Sequence, residues 1–293
     1  MGRLIVNADD FGLTHGVNRA VAKLHALGAL LSATLMAQGA AAEEAIDIAL
    51  KTPSLGVGCH VVLVDGKPAL PPNQIPRLAS PVSGHFRPTL WEFLRATHSH
   101  GPWAQVSPLD SEIEAETAAQ IAKLQARGLR LTHIDTHKHT HMLPAVLRPV
   151  LRAARAAGIR TVRNPFEPAW SRRATPHSPL LRRAQVSLLH LLEPTFRRIV
   201  AEEGFTTTNG SLGVLATGQL DAGLIAAFLR TLPAGTWELV THPGSNDADL
   251  DQVRTRLRAS RPIERQALQS IQPRPGLELI SFAQLSQQGT PPQ

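Results

Sequence analysis

Short apolar segments alternate with helical patterns along almost the whole chain. Residues 4–8 form an apolar run typical of a buried strand, and residues 17–24 then place apolar side chains at helical spacing. The same alternation continues to a last predicted strand at residues 277–282. This pattern predicts one α/β domain with a parallel sheet, either a barrel or a doubly wound sheet.

Two segments interrupt the alternation. Residues 66–109 contain many prolines, and residues 165–203 are rich in proline and arginine before they become helical. Long insertions in a compact fold are often lids or binding loops. We therefore expect a single domain over residues 1–286 with lid-like insertions in these two places, followed by a flexible tail at 287–293.

Composition and charge narrow the class of protein. Hydrophobic residues make up 43% of the chain and charged residues 18%, which is typical of a globular protein. The net charge is +7, but aromatic residues are only 4% and tyrosine is absent, so a base-stacking surface is not expected and we predict no nucleic-acid partner. The arginines are scattered, with local clusters at 148–155 and 182–198 on helical stretches, and we interpret them mainly as solvated faces, although basic helices can also contact anionic lipid.

The chain has one cysteine, Cys59, which excludes an internal disulfide and fits a reducing compartment. No segment has the length of a membrane helix, and the start of the chain lacks the apolar core of a signal peptide. These features predict a soluble, cytoplasmic protein.

Candidate catalytic groups follow the predicted strands. Asp9 and Asp10 come directly after the first apolar run, where a pair of carboxylates is costly to bury, although aspartate is also common in caps and turns. His60 lies in the apolar segment 56–62, where a single histidine is more often a hydrogen-bonded core residue than a ligand. Its neighbour Cys59 should point to the opposite face and pack in the core.

A histidine-rich run at 133–141 is the most specific signal. In an extended strand, alternate side chains share one face, and that face would carry four imidazoles and one carboxylate. Such a set is typical of a transition-metal site, with a surface histidine tract as the alternative. The set consists of His133, Asp135, His137, His139 and His141.

Two further strand ends carry polar groups. Arg163 and His242 could be an ordinary surface cation and a turn cap, respectively. They also suit a site that binds an oxyanion and protonates a leaving amine.

Together these motifs resemble the YdjC-like deacetylases, a family that includes chitooligosaccharide deacetylases and a hopanoid-pathway deacetylase. The resemblance covers residues 3–163 well. Beyond residue 163 it is limited to Thr-His-Pro at 241–243. The motifs are Asn-Ala-Asp-Asp-Phe-Gly at 7–12, Asn18, Gly-Cys-His at 58–60, Val-Asp-Gly-Lys-Pro at 64–68, His-Ile-Asp-Thr-His at 133–137 and His-Met-Leu-Pro at 141–144. Cys59 stands where leucine or methionine is expected.

The resemblance implies a single-domain, distorted (β/α) barrel similar to a TIM barrel, of the glycoside hydrolase/deacetylase type. It implies one divalent cation, Mg²⁺ or Zn²⁺ with Co²⁺ or Mn²⁺ also suited, bound by Asp10, His60 and His137. Asp9 would be the catalytic base and His242 the general acid. The residues expected around the ligands or the substrate are His133, Asp135, His139, His141 and Arg163.

The implied reaction is removal of an N-acetyl group from a chitooligosaccharide or a lipid-linked N-acetylglucosamine, with release of acetate. A phosphoesterase or amidohydrolase on a similar barrel is one alternative, although such enzymes usually carry a His-x-His pair on the first strand. A non-catalytic metal- or sugar-binding protein is another. The sequence is also compatible with a homodimer.

Overall fold

A computed structural model describes residues 2–89, 92, 93, 95, 108–175, 178–271 and 275–288. The strands of these residues form one parallel sheet in the order β4-β3-β2-β1-β6-β5, and β7 pairs with the first residues of β1. The strands are β1 (Gly2–Phe11), β2 (Ser32–Leu35), β3 (Gly56–Val61), β4 (Ile134–Thr136), β5 (Gly210–Leu212), β6 (Gly235–Thr241) and β7 (Leu277–Leu279).

Helices connect the strands and cover the outside of the sheet, and three 3₁₀ turns lie between them. The helices are α1 (His15–Ala26), α2 (Ala42–Lys51), α3 (Pro108–Ala126), α4 (Pro144–Ala156), α5 (Ala169–Arg173), α6 (Leu180–Leu189), α7 (Glu193–Glu202), α8 (Ala222–Thr231), α9 (Ala248–Asp251), α10 (Ser260–Leu268) and α11 (Phe282–Gln288). The 3₁₀ turns are Pro72–Gln74, His137–Met142 and His190–Leu192. Among the described residues, no helix combines the length and apolar character that a membrane span requires.

The regular strands form a half-barrel, and irregular chain continues the curve. Val162 forms a parallel bridge with Ile134 of β4, and Thr161 forms another with Thr206. The Ser211 amide of β5 then donates to the Phe166 carbonyl. The prediction of a distorted (β/α) barrel is therefore confirmed, and the doubly wound sheet is excluded.

Local sequence explains the first β/α unit. Nearly every residue of β1 is buried because the strand has packed layers on both faces. Thr14 caps α1 by accepting a hydrogen bond from the Val17 amide, and Val17, Val21 and Leu24 are fully buried on one face of the helix.

Helix α3 fastens the described part of the first insertion to the barrel. Glu112, Glu116 and Gln120 lie four residues apart on one helix face. Glu112 accepts hydrogen bonds from backbone amides at 77 and 78, Glu116 from those at 69 and 70, and Gln120 bonds both backbone groups of Val62. Much of the rest of the predicted lid lies outside the described residues, as does the end of the predicted tail from 289 onward.

Gly58 in β3 has no room for a side chain. An added Cβ would lie 2.6–2.7 Å from three atoms of the His133 ring, which is itself stacked on Phe282 with 3.9 Å between ring centroids. Gly58→Ala should therefore lower the free energy of unfolding by about 1–3 kcal/mol. Urea unfolding followed by circular dichroism measures this change.

Gly223→Ala, in α8, provides the matched control, because the nearest atom to its added Cβ is 3.4 Å away. This variant should unfold within about 1 kcal/mol of the wild type, because alanine favours helix. Equal stability of Gly58→Ala and the wild type would contradict the packing of His133 described above.

Candidate metal centre and active site

The candidate site lies at the carboxyl ends of neighbouring parallel strands. Asp9 and Asp10 are at the end of β1, and His60 near the end of β3 is the register partner of Asp135 in β4. His242 is the first residue after β6. Because Ala8 pairs with Thr241, His242 comes next to Asp9 at this end of the sheet. Parallel strands end on the same side of the sheet, so these side chains converge as they do in other barrels.

Asp10, His60 and His137 form a group that could hold a metal ion. Asp10 Oδ1 lies 3.6 Å from His60 Nε2 and 3.5 Å from His137 Nδ1, and the three ligand atoms are all within 4.8 Å of one another. Asp10 Oδ1 is buried and has no hydrogen-bond partner among the described residues. A buried carboxylate oxygen facing two imidazole nitrogens fits a divalent cation, because these are common zinc ligands and the cation would satisfy the oxygen.

The backbone of Asp10 is in the left-handed region, with φ of 63°, where non-glycine residues are uncommon. The register between β1 and β2 shifts between Ala8 and Phe11, so this residue lies in an irregularity of the strand. Asn18 supports the turn by accepting from the Gly12 amide at 2.8 Å and donating to the Ala41 carbonyl at 2.9 Å. This turn explains how adjacent aspartates can both point into the site, whereas regular strand neighbours point to opposite faces.

Asp135 orients His60. Its Oδ1 atom lies 2.8 Å from His60 Nδ1, which leaves Nε2 directed toward Asp10. Burial alone would lower the pKa of His60, but Asp135, with Asp9 and Asp10, raises it to about 9. A carboxylate on the far side of a histidine ring is the usual companion of a metal-binding histidine.

Arg163 is fully buried and binds three carboxylates. It donates to Asp9 through both terminal nitrogens, at 2.8 and 2.6 Å, and lies 2.5 Å from Asp135 and 2.6 Å from Glu238. Burial would raise the pKa of Asp9, but the Arg163 charge and hydrogen bonds, together with His60 and His242, hold it well below its usual range. Asp9 is therefore anionic at neutral pH.

His242 lies on the other side of Asp9, with 3.8 Å between Nε2 and Asp9 Oδ2. Its backbone amide donates to Glu264 at 2.7 Å. Burial lowers the pKa of His242 to about 4, against the opposing effect of Asp9 and Asp10. The imidazole is therefore neutral at physiological pH.

Three buried charged residues of the site were not predicted. Glu238 binds Arg163, and burial raises its pKa to about 7 despite that contact. Arg261 donates to Asp10 Oδ2 at 2.5 Å, and Glu264 holds His242. Two features of the sequence could have indicated these residues. One is a glutamate inside the apolar strand β6, and the other is a pair of charged residues on the buried face of α10.

The expectation that 133–141 forms one extended face is wrong beyond His137. The strand ends at Thr136, and Lys138 and His139 adopt left-handed backbone conformations with φ of 56° and 53°. Strand alternation therefore cannot align the later histidines with His137.

Three of the predicted histidines lie outside the Asp10 group. His133 lies deeper in the barrel against Phe282, and His141 Nδ1 is 2.7 Å from the Thr136 hydroxyl oxygen. His139 lines a separate cavity of about 420 Å³ beside α6. Burial lowers the pKa of His133 to about 3 and of His141 to about 4, so both rings are neutral.

The chain is thus a (β/α)-barrel protein with a candidate metal centre at the carboxyl ends of its strands. It belongs to the YdjC-like protein family, whose family model matches residues 3–278.

Similar proteins include two described as deacetylases. A carbohydrate deacetylase of Brevibacillus brevis is 41% identical over 152 residues, which cover 52% of this chain and 55% of that protein. A chitooligosaccharide deacetylase of Salmonella paratyphi B is 35% identical over 157 residues, which cover 53% of this chain and 57% of that protein. The matched stretch spans little more than half the length of these relatives.

A solved structure supports the fold over nearly the whole chain. It belongs to an Enterococcus faecalis protein described as a candidate cellobiose-phosphate cleavage protein. The TM-score is 0.72 with 23% sequence identity, and the match covers 97% of this chain and 98% of the other.

Metal binding should release a proton from His60. With a pKa of about 9, this ring is protonated at neutral pH in the metal-free protein, and a cation at Nε2 must displace that proton. Affinity for Co²⁺ should therefore rise about tenfold per pH unit between about pH 7 and 8.5 and level off above about pH 9. Isothermal titration calorimetry in two buffers of different ionisation enthalpy counts the released proton, and an affinity independent of pH would contradict the ligand assignment.

Proposed function

We propose that this protein is a metal-dependent hydrolase that removes the acetyl group from an N-acetylated amino sugar. The observation that carries the proposal is the unpartnered Asp10 carboxylate oxygen between His60 and His137, with Asp9 and His242 beside it. The relatives described as carbohydrate and chitooligosaccharide deacetylases support the same reaction class.

Asp10, His60 and His137 would hold the cation. When bound there, a divalent cation supplies Lewis acidity toward the amide carbonyl and lowers the pKa of water. One carboxylate and two imidazoles suit Zn²⁺, Co²⁺ or Mn²⁺, and Mg²⁺ also accepts carboxylate ligands.

Asp9 and His242 would carry the proton. Asp9 accepts it from the attacking water as the water oxygen bonds to the carbonyl carbon. The Arg163 contact makes Asp9 a weak base, and His242 Nε2, 3.8 Å from Asp9 Oδ2, is placed to take the proton from it. His242 then donates it to the amine nitrogen as the C–N bond breaks, giving acetate and a free amino sugar.

Arg163 and Asp135 would position the reacting groups. Arg163 holds Asp9 through two hydrogen bonds, and Asp135 fixes the ring of His60. Neither side chain needs direct contact with the sugar to support the reaction.

The cavity beside α6 favours a sugar that carries an apolar group. Met142 and Leu143 line it on one side, and Leu181, Val186 and Leu189 of α6 line it on the other. Lys138 and His139 join this cavity to the turn that follows His137. These apolar walls support a lipid-linked N-acetylglucosamine as substrate, with a chitooligosaccharide as the alternative.

Product analysis tests the proposed reaction against the two alternatives. The purified protein, supplied separately with Zn²⁺, Co²⁺, Mn²⁺ or Mg²⁺, should release acetate from diacetylchitobiose or a lipid-linked N-acetylglucosamine and lose this activity in a chelator. It should release no phosphate from p-nitrophenyl phosphate. Phosphate without acetate would favour a phosphoesterase, and a bound ion without either product would favour a non-catalytic binding protein.

Two substitutions should separate the proton acceptor from the metal ligands. Asp9→Asn should lower kcat by about 10²–10⁴-fold with metal content unchanged, because the amide cannot accept the proton. His137→Ala should lose both bound metal and activity. His25→Ala provides a control, because the His25 ring is hydrogen-bonded to the Leu30 carbonyl and the Ser54 hydroxyl, away from the site. Elemental analysis and acetate release measure both properties, and full turnover by Asp9→Asn would remove its assigned role.

A further inference from the structure

Helix α6 and the 3₁₀ turn after it present an exposed apolar face. The exposed fractions are 84% for Leu180, 73% for Leu181, 68% for Leu188 and 72% for Leu191. With exposed Ala184, these residues follow helical spacing along one side, and α6 has no buried residue. Because leucines are costly to leave in water, a continuous stripe of this kind indicates a contact surface.

The segment that carries this leucine face has charges of a single sign, and Glu193, the first acid after it, is paired with Arg197 at 2.6 Å. Residues 169–192 contain four arginines and no aspartate or glutamate. Arg172 donates to the Ser187 hydroxyl at 3.0 Å, which places its guanidinium at the border of the face, and Arg183 lies on the same side by helical spacing. Apolar residues on one face with arginines along its edge are typical of helices that lie in the interface of a membrane.

The charge distribution favours lipid over a second copy of the chain. Two copies meeting through their leucine faces would bring their arginine borders together without an acid from the same segment, and like charges disfavour such contacts. An anionic headgroup layer would instead attract the arginines and accept the leucines into its acyl boundary. We propose that the leucine face of α6 docks this protein on an anionic lipid bilayer.

The same helix lines the cavity of about 420 Å³, whose lining includes the two residues that follow His137. Arg182 and Leu189 of α6, together with Leu181 of the leucine face, line the cavity that Lys138 and His139 also line. Docking through the outer residues would therefore bring the cavity close to the membrane. The proposal itself rests on the surface and is independent of the reaction.

Vesicle flotation tests the docking surface directly. The wild-type protein should float with vesicles of phosphatidylcholine containing about one third phosphatidylglycerol, and much less with phosphatidylcholine alone. The substitution pair Leu180→Ser/Leu188→Ser should lower the partition coefficient by about tenfold or more. The pair Arg172→Gln/Arg183→Gln should weaken binding to the anionic vesicles and reduce its salt dependence.

The matched control pair is Leu27→Ser/Leu50→Ser, which changes two leucines that are 54% and 47% exposed elsewhere on the fold. This pair should bind vesicles as the wild type does, and all variants should keep the wild-type unfolding midpoint. Absence of wild-type binding, equal binding to neutral vesicles or equal loss in the control pair would overturn the proposal. A solution dimer that is abolished by Leu180→Ser/Leu188→Ser would overturn it in favour of a second copy.

Discussion

The buried guanidinium of Arg163 is the interaction on which the site depends. It contacts Asp9, Asp135 and Glu238 inside the barrel, where separate carboxylates would pay a large desolvation cost and repel one another. With Asp10, four carboxyl groups of the site lie near the two buried arginines, Arg163 and Arg261, and burial raises the pKa of one of the four, Glu238, to about 7. The three aspartates exceed the two arginines by one negative charge, which a proton on His60, or a cation in its place, offsets, so the charge balance favours a cation at this position.

The sequence was sufficient for the fold class and for placing candidate polar residues at the strand ends. Both depend on local patterns: apolar runs that alternate with helices, and polar residues directly after those runs. In a parallel barrel the strand ends meet on one side, so Asp10 and His60 could be placed together from their positions alone. The assignment of Asp10, His60 and His137 as the ligands came from the family resemblance, and the structure places His137 3.5 Å from Asp10.

The rest of the site could not be predicted, because its contacts join distant positions or depend on backbone irregularities. Arg261 and Asp10 are 251 positions apart, and Arg163 and Glu238 are 75 apart. No local pattern shows which buried arginine meets which carboxylate. The prediction that the histidines at 133–141 share one face was wrong for a different reason. Left-handed backbone conformations at Lys138 and His139 end the strand alternation on which that prediction was based.

The register between β1 and β6 sets the separation of Asp9 and His242. Ala8 pairs with Thr241 in the sheet, and the Thr241 hydroxyl donates to the Asn7 carbonyl at 2.8 Å. Glu264 then holds the amide of His242 just beyond the strand. A shift of one residue between β1 and β6 would turn these side chains to the opposite face, so the proton path proposed here requires this register. The same register aligns Glu238 with Ile5 and leaves its carboxylate against Arg163, which links the sheet to the charge balance of the site.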